Sequence, residues 1–242
     1  MGATRQLRSD VNTPSSRRRR AGVSIPVPPA EKRKFRERLL KWYAQHARDL
    51  PWRKTSDPYK ILVSEIMLQQ TQVERVLPKY QEWLTKYPTM EELAEASLST
   101  VKKSWYPLGY NIRPIRLHQI ARETVARYGG QLPDTADGLR GLPGVGRYTA
   151  GAVLSFAYGQ DAAILDTNVR RVLSRVFIGP RRKRRLRGEK AYWDLAEALV
   201  PRGRAYDFNQ ALMDFGATWC SPRAPRCTPC PMRHFCASYP AV

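Results

Sequence analysis

Four cysteines close the chain, and their spacing is the first feature that could do chemistry. Cys220, Cys227, Cys230 and Cys236 are the only thiols among 242 residues, and they follow the pattern C-x6-C-x2-C-x5-C. Thiols gathered this closely are typical of a metal or cluster site rather than of a disulfide framework. Four thiolates suit structural zinc and an iron–sulfur cluster alike, and the spacing alone leaves both open. Four unligated structural thiols fit the clustering less well.

The charge of the chain predicts a polyanionic partner. Lysine and arginine number 42 against 21 aspartates and glutamates, which gives a net charge of +21 and a pI near 10.3. A folded chain tolerates that self-repulsion most easily beside nucleic acid. The loop between the first two cysteines carries Arg223 and Arg226, so we expect it to bind phosphate. Residues 1–30 include four consecutive arginines and little to bury, which predicts a disordered basic arm.

Membrane and export signals are not visible in the sequence. It has no run of about eighteen apolar residues, the length that a transmembrane helix needs, and no convincing basic amphipathic helix. Its first residues lack the apolar stretch of a secretory signal peptide. Clustered thiols without an export signal predict a reducing compartment. We therefore expect a cytoplasmic, nucleoid-associated protein with no membrane partner.

The segment L-P-G-V-G-R-Y-T-A, which begins at Leu142, predicts a phosphate-binding hairpin. Gly144 and Gly146 permit backbone conformations with φ above zero, and they can expose N–H groups at the start of the helix that follows. Arg147 comes next and adds a positive charge. Such a turn binds a phosphate without reading sequence. An ordinary helix–helix turn is the alternative, but the strongly basic chain favours the phosphate site.

Two carboxylates lie in different sequence environments. Asp166 opens a probable helix, so it is either a helix N-cap or a functional carboxylate. Glu65 lies among apolar neighbours, where burial would raise its pKa and suit it to donate a proton; a solvated position on a helix face is the alternative. Hydrolysis of a glycosidic bond needs such a pair, because one group protonates the leaving group while the other stabilises the sugar cation.

The elements that must position these residues are predicted to be helices. Apolar periodicity indicates a helix from about residue 31 and a long periodic stretch over 61–76. The only candidate strand is 162–165, and 180–187 is a basic run that we interpret as a loop near phosphate. The fold class is therefore all-α. Further helices are predicted near 89–104, 112–128, 136–141, 147–158, 167–177, 190–200 and 206–219.

The hairpin, the aspartate after it and the cysteine tail together resemble the helix-hairpin-helix DNA glycosylases of the endonuclease III superfamily. The resemblance covers roughly residues 31–238. It implies a base excision repair enzyme with two α-helical lobes and double-stranded DNA in the cleft between them. The six-helix barrel with the hairpin would cover 55–160, and the cluster lobe would combine 31–54 with 161–242. The resemblance also implies that the four cysteines hold a [4Fe–4S] cluster and that the protein acts as a monomer.

Within that superfamily, the stretches 50–53, 64–72 and 165–172 are similar to the adenine glycosylases of the MutY type. Carried over by position, Glu65 would protonate the adenine ring. Asp166 would stabilise the oxocarbenium ion or form a transient covalent adduct. Asn168 and Tyr148 would orient and support that intermediate.

The same resemblance implies which residues open the duplex. Gln70 and Tyr110 match residues that wedge into the base stack, and we expect Thr71, beside Gln70, to contact DNA as well. Tyr148 occupies the position where bifunctional members carry a lysine that forms a Schiff base, and tyrosine cannot do that chemistry. The resemblance therefore predicts a monofunctional glycosylase.

Two departures from the adenine glycosylase pattern keep a second substrate class open. The chain stops six residues after Cys236, where typical adenine glycosylases add a domain that reads 8-oxoguanine, and Asn111 replaces a tyrosine of their G-L-G-Y-Y-A-R motif. Glycosylases that act on thymine or uracil opposite guanine share the short tail and the tyrosine. The intact M-L-Q-Q-T-Q run favours adenine. A non-catalytic DNA-binding protein is less favoured, because both carboxylates are present, and nothing specific in the sequence supports a redox sensor.

Overall fold

The computed structural model describes residues 25–180 and 188–240, and the regular elements within those ranges are helices. This confirms the all-α class. The basic arm predicted for 1–30 falls mostly on residues 1–24, and the basic run predicted for 180–187 falls mostly on 181–187; these parts lie outside the described ranges. No described helix is both long and apolar enough to cross a membrane.

The helices follow one another with short connections. A 3-10 turn, Pro51–Arg53, joins the first two, and π turns, Ser174–Ile178 and Phe215–Trp219, extend two later ones. The helices are α1 Pro29–His46, α2 Pro58–Leu68, α3 Val73–Lys86, α4 Met90–Glu95, α5 Leu98–Trp105, α6 Ile112–Tyr128, α7 Ala136–Arg140, α8 Arg147–Phe156, α9 Thr167–Leu173, α10 Lys190–Leu199 and α11 Ala205–Asp214.

Local capping explains where several helices begin. The Asp57 carboxylate accepts the backbone N–H of Tyr59 at 2.9 Å, and Pro58 occupies the first helical position of α2. Thr89 and Glu92 form a capping box at α4. Gly129, with a φ of 58°, ends α6 in the left-handed conformation that glycine adopts most easily.

Three sequence predictions of elements were wrong. The stretch 61–76 is two helices, α2 and α3, separated by a turn at 69–72, and 89–104 likewise divides into α4 and α5. The candidate strand 162–165 has no regular structure; Asn209 Nδ2 instead donates to the Ala162 carbonyl at 2.8 Å. The backbone group that a strand partner would have bonded is therefore satisfied by a buried side chain.

Helix packing brings two groups of helices together along one seam. In the first group α2 packs against α3, α6 and α8, while α4 and α5 pack on α6. In the second, α11 packs on α1 and α9. Trp83 and Trp105 meet edge to face at 5.4 Å in the first group, and Phe35 and Phe208 meet at 6.1 Å in the second. α11 also contacts α8, so the two groups share a common border.

A buried ion pair network crosses that border. Asp214, at the end of α11, is fully buried and accepts Arg53 Nη1 at 2.7 Å and Nη2 at 2.8 Å. Arg48 Nε donates to the same carboxylate at 2.6 Å. Burial acts to raise the pKa of Asp214, but the hydrogen bonds and charges of Arg53 and Arg48 outweigh it and hold the pKa below its usual value. The connection between α1 and α2 is thereby fixed to α11.

Asp214→Ala should destabilise the protein by about 3–5 kcal/mol, because it leaves the buried Arg53 guanidinium without its counter-ion. Urea unfolding followed by circular dichroism measures the change. Asp49→Ala is the matched control: Asp49 pairs with Lys54 at 2.7 Å on the surface, so its loss should have little effect. Equal losses in the two variants would show that burial does not set the strength of the network.

Candidate active site

A cleft of about 1040 Å³ lies between α2 and α8 on one side and α9 and α11 on the other. Polar and charged side chains converge on it from elements far apart in sequence. The lining includes Arg48, Arg53, Glu65, Gln69, Gln70, Thr71, Tyr148, Asp166, Asn168, Arg170, Gln210 and Met213. The structure therefore brings together all four residues that the sequence assigned to catalysis.

Glu65 is buried in the wall of this cleft. It lies in the third turn of α2, and only 5% of its surface is exposed. Burial, reinforced by the nearby charge of Asp166, raises the pKa of Glu65 to about 7, and the Tyr148 hydrogen bond and the Arg53 charge offset part of the rise. The carboxyl group is therefore partly protonated at neutral pH. The buried alternative is confirmed and the solvated one excluded.

Tyr148 holds one oxygen of Glu65. Its hydroxyl donates to Glu65 Oε2 at 2.8 Å and lies 3.6 Å from Met213 Sδ. Burial and the neighbouring carboxylates raise the pKa of Tyr148 well above 10, so the phenol stays a proton donor. No described residue donates to Glu65 Oε1, so that oxygen is left to a group that enters the cleft.

Asp166 caps α9 and also faces the cleft. Its Oδ1 accepts the Val169 backbone N–H at 2.6 Å, and its Oδ2 accepts Asn168 Nδ2 at 3.0 Å. Burial raises the pKa of Asp166 above its usual value, and these two hydrogen bonds offset part of the rise. Asp166 is therefore the N-cap of α9 and at the same time lines the cleft, so the two roles considered for it are compatible.

Arg171 connects this carboxylate to the first cysteine. Its Nη2 donates to Asn168 Oδ1 at 2.8 Å and to the Gly216 carbonyl at 2.6 Å, and its Nε donates to the Cys220 carbonyl at 2.9 Å. Gly216 has to be a glycine at this contact, because a Cβ there would lie 2.8 Å from the Asn168 Cβ. Asn168 is thus held from three sides.

The glycine hairpin positions Tyr148, and its two glycines differ. Gly144 has a φ of 76°, as predicted. Gly146 has a φ of −87° in extended backbone, so the prediction of a positive φ there was wrong; it is the N-cap of α8. The Arg147 guanidinium stacks over Trp193 at 4.1 Å and pairs with Glu197 at 2.5 Å, so a phosphate would compete with an existing ion pair.

Two exposed residues, Gln70 in the lining of the cleft and Tyr110 on a neighbouring loop, have backbone conformations in the left-handed region. Gln70 has a φ of 56° and Tyr110 a φ of 48°, and Tyr110 is 56% exposed. Non-glycine residues adopt this conformation rarely, which points to a constraint imposed by the surroundings. Thr71 lies beside Gln70, but its Oγ1 accepts Arg113 Nη2 at 3.0 Å.

The four cysteines line one cavity at the end of the chain. All are free thiols, and Arg175, Arg226 and Arg233 surround them. In residues 25–180 and 188–240, no three His, Cys, Asp or Glu side chains are gathered as they would be around a single metal ion. Arg226 also stacks on Trp219 at 5.5 Å, while Arg223 is exposed on the same loop.

Comparison with known proteins identifies the family. Residues 63–198 match the family described as HhH-GPD superfamily base excision DNA repair protein. The chain belongs to this superfamily. The matched range contains the hairpin, Glu65, Tyr148, Asp166 and Asn168. The family and the fold expected from the resemblance are thereby confirmed.

Individual relatives of this HhH-GPD protein carry two different names. Human adenine DNA glycosylase is 47% identical over 217 residues, which cover 86% of this chain and 40% of that protein. The thymine/uracil-DNA glycosylase of Pyrobaculum aerophilum is 39% identical over 211 residues, covering 85% and 92%. A solved structure of a thermostable thymine-DNA glycosylase has a TM-score of 0.83 at 38% identity, over 88% of this chain and 98% of that one. The chain therefore spans less than half the length of the human relative that it matches.

Sequence reasoning missed several residues of this HhH-GPD site. Gln210 is 3% exposed, lines the cleft and has a buried Oε1 without a hydrogen-bond partner among the described residues. Arg48 and Arg53 line the cleft, and Arg171 hydrogen-bonds to Asn168. From the sequence alone, the arginines could equally lie on the surface and Gln210 on an exposed helix face. The apolar neighbours of Gln210 in the sequence were the one sign of its burial.

Tyr148→Phe should raise the pKa of Glu65 above about 7, because the hydrogen bond that it removes favours the ionised carboxylate. Carbon-13 NMR titration of protein labelled at glutamate carboxyls measures this. Tyr158→Phe is the control, since the Tyr158 hydroxyl donates to the Leu132 carbonyl and should leave the pKa of Glu65 unchanged. A pKa that stays or falls in Tyr148→Phe would exclude this role for the hydroxyl.

Proposed function

We propose that this protein is a monofunctional DNA glycosylase that hydrolyses the N-glycosidic bond of a flipped, mispaired base, adenine above all. The observation that carries the proposal is Glu65, a buried carboxyl with a pKa of about 7 facing the cleft that contains Asp166. Adenine leaves readily only when its ring is protonated, and a carboxyl of this pKa can hold and deliver that proton. Thymine and uracil leave as anions and need such an acid less.

The geometry supports a division of labour between the two carboxyls. Tyr148 occupies Glu65 Oε2, so the proton would pass from Oε1 to the adenine ring as the bond from the base nitrogen to C1′ breaks. The sugar becomes positively charged, and the Asp166 carboxylate would stabilise or transiently trap it at C1′. Water then adds to C1′ and loses a proton, which leaves an abasic site and free adenine. Asn168 would hold Asp166 in place through the 3.0 Å hydrogen bond.

The same site is unsuited to strand cleavage. Schiff-base formation needs an amine nucleophile near C1′, and Tyr148 stands at the hairpin position where the bifunctional relatives implied by the resemblance have lysine. A phenol with a pKa well above 10 remains protonated. The abasic product would therefore stay intact until alkali or another enzyme cleaves it.

Several features support double-stranded DNA as the partner. Gln70 lines the cleft and Tyr110 is exposed on the loop that Arg113 joins to it; both would fill the stack that the flipped base leaves, and Thr71 would lie close to the DNA backbone. Gly144, Gly146 and Arg147 at the hairpin, and Arg223 and Arg226 near the cysteines, would meet phosphates. The buried Gln210 amide would hydrogen-bond the edge of the base. An amide presents both a donor and an acceptor, so Gln210 alone does not choose between adenine and thymine.

We also propose that the four cysteines hold a [4Fe–4S] cluster in a lobe formed by 31–54 and 161–242, beside a barrel lobe over 55–160. The donor set is four thiols around a shared cavity, and three arginines line it, which suits a thiolate-bound cluster of net negative charge. Bound there, the cluster would fix the loop that carries Arg223 and Arg226. The residues present thus fit the group.

Protein purified without oxygen should be brown, with absorbance near 400 nm and about four irons per chain. Metal analysis and Mössbauer spectroscopy measure this. Cys230→Ala should lose the colour, whereas His234→Ala, which changes a side chain inside the same segment, should keep it. A colourless preparation that contains one zinc per chain would contradict the cluster.

A second substrate class is favoured by one observation. The thymine/uracil-DNA glycosylase of Pyrobaculum aerophilum is 39% identical over 211 residues, and the structure of a thermostable thymine-DNA glycosylase matches this fold with a TM-score of 0.83 at 38% identity. Thymine or uracil opposite guanine is therefore the alternative. The two classes differ in their need for the Glu65 proton, which makes them separable by experiment.

Single-turnover excision should release adenine opposite 8-oxoguanine or guanine, and the strand should break only after alkali. The comparison substrates are duplexes of the same sequence that carry thymine or uracil opposite guanine. The rate of adenine release should fall as pH rises above about 7, because Glu65 loses its proton there. Glu65→Gln should remove that pH dependence together with most of the rate.

Two variants control the excision experiment. Asp166→Asn should abolish release while mismatch binding persists, and Glu123→Gln, an exposed pair partner of Arg127, should behave as the wild type. Release of thymine or uracil alone would move the protein to the alternative class. Release of no base from any duplex would contradict the proposed activity.

A further inference from the structure

Arg113 is a buried arginine whose hydrogen bonds all go to neutral groups. It lies at the start of α6 and is 3% exposed, and no described carboxylate pairs with it. Burial lowers its pKa, as expected for a cation without a counter-ion. Its Nη1 donates to three carbonyls, those of Ile66 at 3.1 Å, Met67 at 2.7 Å and Gln69 at 2.6 Å. Its Nη2 donates to Thr71 Oγ1 at 3.0 Å and to the carbonyls of Leu108 at 3.1 Å and Gly109 at 3.2 Å.

These contacts divide between two loops. One nitrogen, Nη1, binds the end of α2 and the turn after it, where the last carbonyls of a helix lack partners and favour a positive charge. The other, Nη2, reaches Thr71 in that turn and the carbonyls of Leu108 and Gly109. A single planar guanidinium thus fixes the distance between 66–71 and 108–109.

The two loops carry the only described non-glycine residues with positive φ, Gln70 and Tyr110. Each is adjacent in sequence to a residue whose carbonyl Arg113 binds, Gln69 in one case and Gly109 in the other. Strained backbone of this kind persists only where its surroundings over-determine it. Arg113 is the group that contacts both strained turns.

Aromatic rings complete the arrangement. The Arg113 guanidinium lies 5.1 Å from the ring centroid of the buried Trp105 and 5.3 Å from that of the exposed Tyr110. Trp105 Nε1 donates to the Gly109 carbonyl at 2.9 Å. The guanidinium therefore links an exposed ring to the core of the first helix group.

We propose that Arg113 is the positioning residue that holds Gln70 and Tyr110 together as one preformed edge for opening the DNA duplex. This inference rests on the proposed function, because it assigns those two side chains to the base stack. An edge that is already ordered loses less conformational entropy on binding, so more of its stacking energy offsets the cost of flipping a base. Arg113 itself would touch neither the base nor the sugar.

Arg113→Met tests the proposal, because it keeps an unbranched apolar stem and removes every donor. Arg36→Met is the matched control: Arg36 also donates to three backbone carbonyls, those of Ala198, Leu199 and Val200, and joins α1 to the end of α10. Without DNA, chymotrypsin should cleave after Tyr110 several-fold faster in Arg113→Met than in the wild type. The Arg36→Met rate should match the wild type.

Base release gives the second readout. Single-turnover excision from a mispair should fall about tenfold or more in Arg113→Met, whereas excision of the same base placed opposite an abasic site, where flipping costs less, should stay near the wild-type rate. Arg113→Lys keeps the charge but has a single donor nitrogen in place of the two guanidinium nitrogens, Nη1 and Nη2, that bind the two loops, so it should resemble Arg113→Met. Combined with Tyr110→Ala, Arg113→Met should add little further loss, because it acts through that ring.

Three outcomes would overturn the proposal. They are an unchanged cleavage rate after Tyr110, an equal loss of excision on paired and unpaired targets, and full recovery in Arg113→Lys. If the wild type released no base from any duplex, the proposed function would fail, and the chymotrypsin comparison would still report whether Arg113 orders the loop. Should Arg113→Met not fold, Thr71→Val removes one acceptor of Nη2 and should give smaller shifts in both readouts.

Discussion

The cleft depends on the buried carboxylate of Asp214 more than on any other single group. Its bonds to Arg48 and Arg53 fix the segment between α1 and α2 to the end of α11, across 161 residues of sequence in the case of Arg53. The same helix supplies Gln210 and Met213 to the cleft, and Met213 contacts the Tyr148 hydroxyl. The Arg53 charge also lowers the pKa of Glu65. One buried anion thus joins two segments that line the cleft, and through Arg53 it is connected to the electrostatics of Glu65.

The two carboxyls of the cleft differ through hydrogen bonding more than through burial. Burial is the largest influence on the pKa of both Glu65 and Asp166 and raises each. Glu65 has one neutral hydroxyl as its donor, so desolvation dominates and the group keeps a proton near neutral pH. Burial also prevails at Asp166 and raises its pKa, but Asp166 sits at a helix N-terminus, where a backbone N–H and the Asn168 amide offset part of the rise and favour the charged form. The fold gives the two carboxyls different hydrogen-bond donors by placing Glu65 in a helix interior and Asp166 at a helix start.

The residues that line the site could be predicted from the sequence, whereas the buried charged residues that hold them in place could not. Asp166 precedes a helix, and Glu65 lies in an apolar run, so both environments can be read locally. Asp214, Arg113 and Arg171 each act on a residue or segment that folding brings to them, and their own neighbours in the sequence look ordinary. The division of 61–76 into two helices could not be predicted for the same reason: the group that binds the turn comes from a distant part of the sequence. Apolar periodicity continues through the turn at 69–72, while the Arg113 guanidinium, supplied by α6, binds the carbonyls at the end of α2.

Arg171 connects the cysteine loop to the cleft through hydrogen bonds. Its guanidinium binds the Cys220 carbonyl at one end and Asn168 Oδ1 at the other, and Asn168 in turn binds Asp166. Gly216 closes the space behind Asn168 so tightly that a methyl group would displace it. Any rearrangement of the backbone at Cys220 therefore changes the position of the Asp166 carboxylate unless the Arg171 bonds break. The ordering of the cysteine segment and the geometry of the cleft are therefore coupled, because the side chain of Arg171 hydrogen-bonds to both.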